Sequence, residues 1–260
     1  MQVSGRWIAL LLAAAGMAAD NRIAVIAHRG ETRQHPENTL PAFQAAIDLG
    51  CDFIEVDVRT TSDGRLVAIH NSTVDARTNG AGAVRDFTFE QIRALDAGVK
   101  FHARFTGVRV PLFEEVLALA RGRIGVYVDV KQAAAGALVD AIRRHGLERN
   151  VVIYGGLPLL REISAAAPEM KVMPESVSVP VVEEIIGSLR PRVIAFGASD
   201  FTDAIIAIAR RAKADIYVDR LGSADNPVSW QDAIDRGATG IQTDRAAELL
   251  EHLRSRGYHK

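Results

Sequence analysis

From residue 23 onward, short β-branched runs alternate with longer amphipathic stretches, the cadence of βα units wound around a parallel sheet. Nine runs read as strands: 23–28, 53–60, 66–70, 124–131, 151–155, 171–176, 193–199, 215–219 and 239–243. An eight-stranded barrel has no room for the ninth. The excess resolves at Ser62-Asp63-Gly64, a turn too short to hold a crossover helix, so 66–70 is predicted to fold back antiparallel on 53–60. A turn centred on Ser62 and Asp63 makes positions summing to 125 face each other, which sets His70 opposite Glu55. The expected fold is α/β: a (β/α)8 TIM barrel with a small insertion after an antiparallel β-hairpin.

The helical stretches carry their own punctuation. Asn38 or Thr39 is expected to cap the run that starts near Pro41 and ends before Gly50. Thr88 and Gln91 form a capping-box pattern ahead of FEQIRALDAG, with Gly98 as the expected stop, and Pro111 opens LFEEVLALARG. Residues 71–110 are then a long excursion with one helix, inserted between the hairpin and the next barrel strand. Excursions of that size are usually functional.

One segment differs in composition. Arg6, an apolar run from Trp7 to Met17, small residues and Asp20 read as a signal peptide over 1–19, leaving 20–260 as the barrel and implying export to a periplasm or the exterior. The run is shorter than the roughly 20 apolar residues of a bilayer crossing, so no stable membrane anchor is expected. The single cysteine, Cys51, allows no intrachain disulfide. With 260 residues, 48% of them hydrophobic, one domain is expected. Lys plus Arg number 31 against 32 Asp plus Glu, so the basic excess that nucleic acid rewards is missing and a small-molecule partner fits better.

Barrel strands should turn apolar side chains inward, so ionisable residues at alternating positions mark a mouth or a function. Glu55 and Asp57 share one face of their strand, and Asp129 and Lys131 repeat the spacing on the next barrel strand. Three converging carboxylates repel unless a cation sits among them, and oxygen ligands suit Mg2+, Ca2+ or Mn2+. Glu55, Asp57 and Lys131 would also serve as an ion-pair network closing the barrel top. The histidines tip the balance. His28 ends the first strand, followed by Arg29-Gly30, and His70 ends the hairpin return, so both reach the rim where barrel active sites form. Phosphate-ester cleavage needs one proton acceptor and one donor. Arg29 offers a fork of donors for phosphate oxygens, Lys131 a compact positive charge, and Gly30 a close backbone approach. His35, His102, His145, His252 and His259 read as solvent-facing.

The stretch AHRGETRQHPENTLPAF, then GCDFIEVDVRTTSDGRLVAIHN, then RTNGAG resembles the glycerophosphodiester phosphodiesterases, which share HRG, PENT, E-x-D, T-x-D-G and H-D in this order. The similarity runs on through VPLFEEVL and the DVK of 124–131, and more weakly through GATGIQTD, covering nearly everything after the signal segment. The resemblance implies a divalent cation, Mg2+ or Ca2+, and hydrolysis of a small-molecule glycerophosphodiester to glycerol 3-phosphate and an alcohol. Carried over by position, it makes His28 and His70 the acid-base pair, Arg29 and Lys131 phosphate holders, and Glu55, Asp57 and Asp129 the metal ligands. The implied reaction is attack of the neighbouring glycerol hydroxyl on phosphorus, followed by opening of the cyclic phosphate by water. Three positions depart from the pattern: Asn71 where Asp is usual, Asp129 where Glu is commoner, and IYVD at 216–219 where a Trp-containing strand ending in Asn is usual. Glu175, Tyr217, Asp219 and Arg220 fall near strand ends, to contact the alcohol or to rim the barrel. Two alternatives accompany this reading. One is a phospholipase D-like or phosphoinositide-cleaving lipid enzyme; the other, suggested by Asn71, is a barrel that binds a phosphorylated ligand without turning it over.

Overall fold

In the computed structural model residues 22–260 are described, and the predicted signal peptide at 1–19 lies outside them. The chain runs β1 (Ala24–Ala27), α1 (Leu40–Leu49), β2 (Phe53–Thr60), β3 (Leu66–Ala68), α2 (Phe89–Ala94), α3 (Phe113–Ala120), β4 (Gly125–Gln132), α4 (Ala135–His145) and β5 (Val151–Tyr154). It continues with α5 (Leu157–Ala166), β6 (Lys171–Met173), α6 (Val179–Leu189), β7 (Val193–Phe196), α7 (Asp203–Arg211), β8 (Asp215–Asp219), α8 (Pro227–Asp235), β9 (Gly240–Thr243) and α9 (Ala246–Arg254). Eight strands run parallel in the order β6-β5-β4-β2-β1-β9-β8-β7, and β3 pairs antiparallel with β2 outside that path. The ends β6 and β7 meet through one bridge, Glu175 with Ala195, held by Ser176 N–H to Ala195 O and Ala195 N–H to Pro174 O at 3.0 Å each. Pro174, with no N–H for a ladder, sits at this seam and keeps the closure short. The fold is a nearly closed (β/α)8 barrel.

The hairpin register differs from expectation by one residue. Val58 pairs with Ala68, Arg59 with Val67 and Thr60 with Leu66, so facing positions sum to 126. Thr61 N–H bonds Arg65 O at 2.9 Å, and Gly64 takes the left-handed conformation at φ 79°. Three residues, not two, therefore turn the chain, and the left-handed position falls on the one residue without a Cβ penalty. His70 is thus not opposite Glu55. Ile69 N–H bonds Asp57 O at 2.9 Å, and His70 follows one step beyond.

Helix punctuation held at two sites and failed at two: α1 carries Pro41 in its first turn and ends at Leu49, with Gly50 in the left-handed conformation. Thr88 and Gln91 form the reciprocal capping box. Neither Asn38 nor Thr39 caps α1: the Thr39 hydroxyl donates to Pro36 O at 2.6 Å, and Asn38 turns its amide to Asp57. Nor does Gly98 end α2, which stops at Ala94. Gly98 lies instead where a Cβ would press within 2.1 Å of Phe105 O, in a loop gathered by the Asp96 carboxylate, which accepts from Gly98, Val99 and Gly107. The 71–110 excursion covers its own apolar cluster, including Val67, Val74, Phe89, Ile92 and Val110, and this ties it to the barrel.

Strand alternation separates an outer core under the helices, with Phe43, Phe113 and Trp230, from an inner one with Ile26, Tyr127, Val152, Met173 and Tyr217. At the barrel floor Phe53 and Tyr217 meet edge to face, ring centroids 6.0 Å apart. Two glycines make room for them. A Cβ on Gly125 would come within 2.4 Å of the Phe53 ring, and one on Gly240 within 2.6 Å of the Tyr217 ring. Gly240→Ala overpacks this floor at a cost of about 1–3 kcal/mol, so thermal melting should show a Tm lower by several degrees; an unchanged Tm would mean that the floor relaxes freely.

The five remaining histidines are mostly not solvent-facing. His252 is buried against Trp230, and His259, just after the C-terminal turn, sets its buried ring 3.0 Å from Asp52. His35 bonds Glu31 at 2.8 Å and His145 reaches Ala141 O at 2.9 Å, both half-buried; only His102 is exposed.

Candidate active site

Parallel pairing of β2 and β4 sets Asp57 directly beside Asp129 and Glu55 beside Tyr127. Glu55 and Asp57 are each 1% exposed. One carboxylate oxygen from each of Glu55, Asp57 and Asp129 lies within 4.8 Å of the others, a group that could hold a metal ion. Burial, followed by the charges of Asp57 and Asp129, drives the Glu55 carboxyl well above its usual range, and burial also raises Asp129 against the opposing pull of Lys131.

The chain's own cations answer this charge only in part. Lys131 Nζ lies 2.8 Å from Asp129 Oδ2 and 3.3 Å from Asp57 Oδ1. Arg29 Nε approaches Asp57 Oδ2 at 3.2 Å without hydrogen-bond alignment, and its Nη1 bonds Glu37 at 3.1 Å. Glu55 receives the Arg29 backbone N–H on Oε2 at 2.7 Å, but its buried Oε1 has no partner. The ion-pair network read from sequence thus exists at Asp57 and Asp129 and stops short of Glu55. An oxygen donor set with an orphaned buried oxygen fits a hard divalent cation.

The loop after β1 is locked to this acid group. Arg29 sits at φ 58° and Asn38 at φ 55°, uncommon for residues other than glycine. They are held there by Arg29 N–H to Glu55, Asn38 N–H to Arg29 O at 3.0 Å, and a two-way bond in which Asn38 Nδ2 donates to Asp57 Oδ2 at 2.7 Å and Asp57 N–H donates to Asn38 Oδ1 at 3.1 Å. Gly30 serves helix packing: a Cβ there would stand 2.7 Å from the Ala42 carbonyl carbon of α1.

Each candidate imidazole is anchored through Nδ1. His28 Nδ1 lies 2.7 Å from Asp244 Oδ1, beyond the end of β9, and His70 Nδ1 lies 2.7 Å from Asn71 Oδ1. An acceptor at Nδ1 fixes the proton there and leaves Nε2 for the mouth. Burial would raise the Asp244 carboxyl, but the His28 hydrogen bond and the nearby charges of His28, Arg29 and Arg33 hold it below its ordinary value. Burial raises the Asp219 and Asp129 carboxyls, and the charges of His28 and His70, respectively, oppose that rise. Arg59 Nε steadies His70 through its carbonyl at 2.9 Å.

Of the four uncertain strand-end residues, Glu175 and Asp219 line the mouth. Tyr217 is in the barrel floor, and Arg220 turns outward over the Phe201 ring. Asp244, Asn38 and Glu37 were not among the sequence candidates for the site; the GIQTD and PENT stretches that carry them were the available signal. Burial pushes the Asp219 carboxyl up to about 6. Its neutral form therefore contributes stability that is full below about 3.8 and is lost as pH rises through about 6. In melts from pH 4 to 8, Asp219→Asn should gain several degrees over the parent at the alkaline end and little at the acid end; parallel curves would remove Asp219 as the cause.

A (β/α)8 mouth that combines an oxygen-only acidic group, able to hold a cation, with two oriented imidazoles defines a barrel of the phosphoester-handling class. Residues 28–140 match the model of the glycerophosphoryl diester phosphodiesterase family. A glycerophosphodiester phosphodiesterase from Caldanaerobacter subterraneus is 42% identical over 156 residues, 57% of this chain and 64% of that protein. Human glycerophosphodiester phosphodiesterase 1 is 36% identical over 53% of this chain and 44% of its own length, so the matched stretch spans under two thirds of these relatives. The crystal structure of a glycerophosphodiester phosphodiesterase from Agrobacterium tumefaciens superimposes with a TM-score of 0.79 at 30% identity, covering 86% of this chain and 97% of that one. An Oleispira antarctica phosphodiesterase shares the fold, with a TM-score of 0.82 at 20% identity over 89% of this chain and 96% of its own. The chain belongs to the glycerophosphodiester phosphodiesterase family.

Proposed function

We propose that the protein is a metal-dependent phosphodiesterase that hydrolyses glycerophosphodiesters to glycerol 3-phosphate and an alcohol. The observation that carries this reading is the convergence of the Glu55, Asp57 and Asp129 oxygens within 4.8 Å of one another, with two Nδ1-anchored imidazoles alongside. The related fold from Oleispira antarctica is described in complex with the product sn-glycerol-3-phosphate, in keeping with that substrate class. Glu55, Asp57 and Asp129 would hold Mg2+ or Ca2+, which when bound supplies charge stabilisation to the phosphoryl oxygens.

The rest of the chemistry falls to the chain's own side chains. Lys131 carries three donors and can keep its bond to Asp129 while giving another to a phosphate oxygen. Arg29, pinned by Glu37 and Asp57, places its guanidinium beside the same group. His70, whose Nδ1 partner is a neutral amide, takes the proton of the attacking glycerol hydroxyl at Nε2. His28, whose partner Asp244 is anionic, supports an imidazolium and gives its proton to the leaving alcohol. Water then opens the cyclic phosphate as the two rings exchange roles. Asn71 keeps the orienting bond that Asp would make, which favours turnover over a binding-only barrel.

Purified protein incubated with glycerophosphodiesters and Mg2+ or Ca2+ should release glycerol 3-phosphate, and EDTA should stop it. A calorimetric binding signal without product under every metal tried would support the non-catalytic reading, and consumption of intact lipid in preference to deacylated headgroups the lipid-cleaving one. Among the described residues no helix is long and apolar enough to cross a membrane. Export through removal of 1–19 is part of the proposal, tested by N-terminal sequencing of the mature protein.

A further inference from the structure

Beside the acid triad, the part of the mouth wall contributed by β5, β8, β9 and the segment after β6 carries chemistry that the reaction leaves unused. A cavity of about 220 Å³ lies there, lined by His28, Asp129, Tyr154, Glu175, Asp219 and Gln242 among others. Gln242 is 5% exposed, and its Oε1 is buried with no hydrogen-bond partner. The β9 ladders set it between Ile26 and Asp219, one layer below His28. Gln242 also lines the cavity, and a buried acceptor without a partner calls for a donor.

The charge in this wall is also only partly compensated, by His28 acting on Asp219. The cations nearby are committed elsewhere: His28 to Asp244, Lys131 to Asp57 and Asp129, and Arg220 to Asp232. Among the described residues neither Asp219 nor Glu175, both lining the cavity, takes part in an ion pair.

We propose that this wall holds the alcohol portion of the substrate and selects a primary-ammonium headgroup, as in glycerophosphoethanolamine. The inference rests on the phosphodiesterase reading and adds the leaving-group class to it. An ammonium brings three N–H donors and a positive charge. One donor satisfies Gln242 Oε1, and the charge answers Asp219 and Glu175. A quaternary ammonium supplies the charge without an N–H, and a neutral polyol supplies the donor without the charge. A headgroup with its own carboxylate meets two like charges. With the headgroup here, the leaving oxygen falls beside His28, as the acid role assigned to that ring requires.

The test is a panel of glycerophosphoethanolamine, glycerophosphocholine, glycerophosphoglycerol and glycerophosphoserine with the wild-type protein and saturating Mg2+ or Ca2+. The ethanolamine substrate should lead by about tenfold or more in kcat/KM, on the scale of one charge-assisted hydrogen bond. Asp219→Asn should cut the ethanolamine-to-glycerol ratio by about tenfold, and Gln242→Met should cut the ethanolamine-to-choline ratio. Calorimetric titration with phosphoethanolamine against phosphocholine reads the same selectivity without turnover. Equal rates across headgroups, or ratios unmoved by Asp219→Asn, would overturn the headgroup assignment while leaving the phosphodiesterase reading intact. No product from any of the four would overturn that reading itself, and the titration would then decide whether the wall still prefers a primary ammonium.

Discussion

His28→Ala should lower turnover of a glycerophosphodiester with an alkyl alcohol by about 10² to 10⁴, the range for loss of a general acid. An ester with a p-nitrophenyl leaving group should recover much of that loss, because a phenolate departs without needing a proton. His70→Ala should show no such recovery, since deprotonation of the attacking hydroxyl is needed whatever leaves. The split follows from the unlike Nδ1 partners, anionic Asp244 for His28 and the neutral amide of Asn71 for His70. Steady-state rates on the two substrate types check it. If His70→Ala is the variant rescued, the acid and base roles are reversed; if neither is, proton transfer to the leaving group belongs elsewhere.

The second large effect is at Glu55. Glu55→Gln removes a buried oxygen charge from the triad and should abolish most activity. Metal-assisted charge stabilisation is worth several kcal/mol, so the rate should fall by about 10² or more. Stability should move the opposite way. Burial and the neighbouring Asp57 and Asp129 raise the Glu55 carboxyl well above 4.5. Its neutral form contributes stability that is present below about 4.5 and is lost as pH rises through the elevated folded value. In EDTA near pH 8, the variant should therefore melt above the parent. Adding Mg2+ or Ca2+ should raise the parent's Tm and leave the variant's nearly unmoved. A parent indifferent to both cations, or a variant that responds equally, would show that the triad does not bind metal.

Both effects concern residues that the sequence already marked, and the reason is that their signals are local. Alternation along a strand places Glu55 with Asp57, and Asp129 with Lys131, without any knowledge of the fold. Ser62-Asp63-Gly64 announces a reversal from turn chemistry alone, and a strand-ending His followed by Arg-Gly stands out against apolar neighbours. Even the register of the hairpin was legible to within one residue; the error came from where the left-handed position falls in the loop, which the identity of Gly64 hints at and the backbone hydrogen bonds decide.

Helix caps were less legible for Asn38 and Thr39 because two demands competed for the same side chains. Asn38 satisfies a buried carboxylate instead of the first turn of α1, since an unpaired buried charge costs far more than an uncapped helix end. The histidines at 252 and 259 misled for a related reason. Each is polar in sequence, yet one packs on Trp230 and the other on Asp52, partners 22 and 207 positions away.

By itself, the sequence determined the βα cadence, the hairpin, and which side chains are chemically able to bind a cation and move protons, because periodicity and turn preference act over a few residues. Only the tertiary structure decided their partners. Asp244 meets His28 across 216 positions because β9 lies beside β1, and Gln242, its Oε1 without a partner, stands beside Asp219 because β8 lies beside β9. Ring closure sets those neighbours, and closure is a property of how all eight strands pack, which no single stretch of the chain encodes.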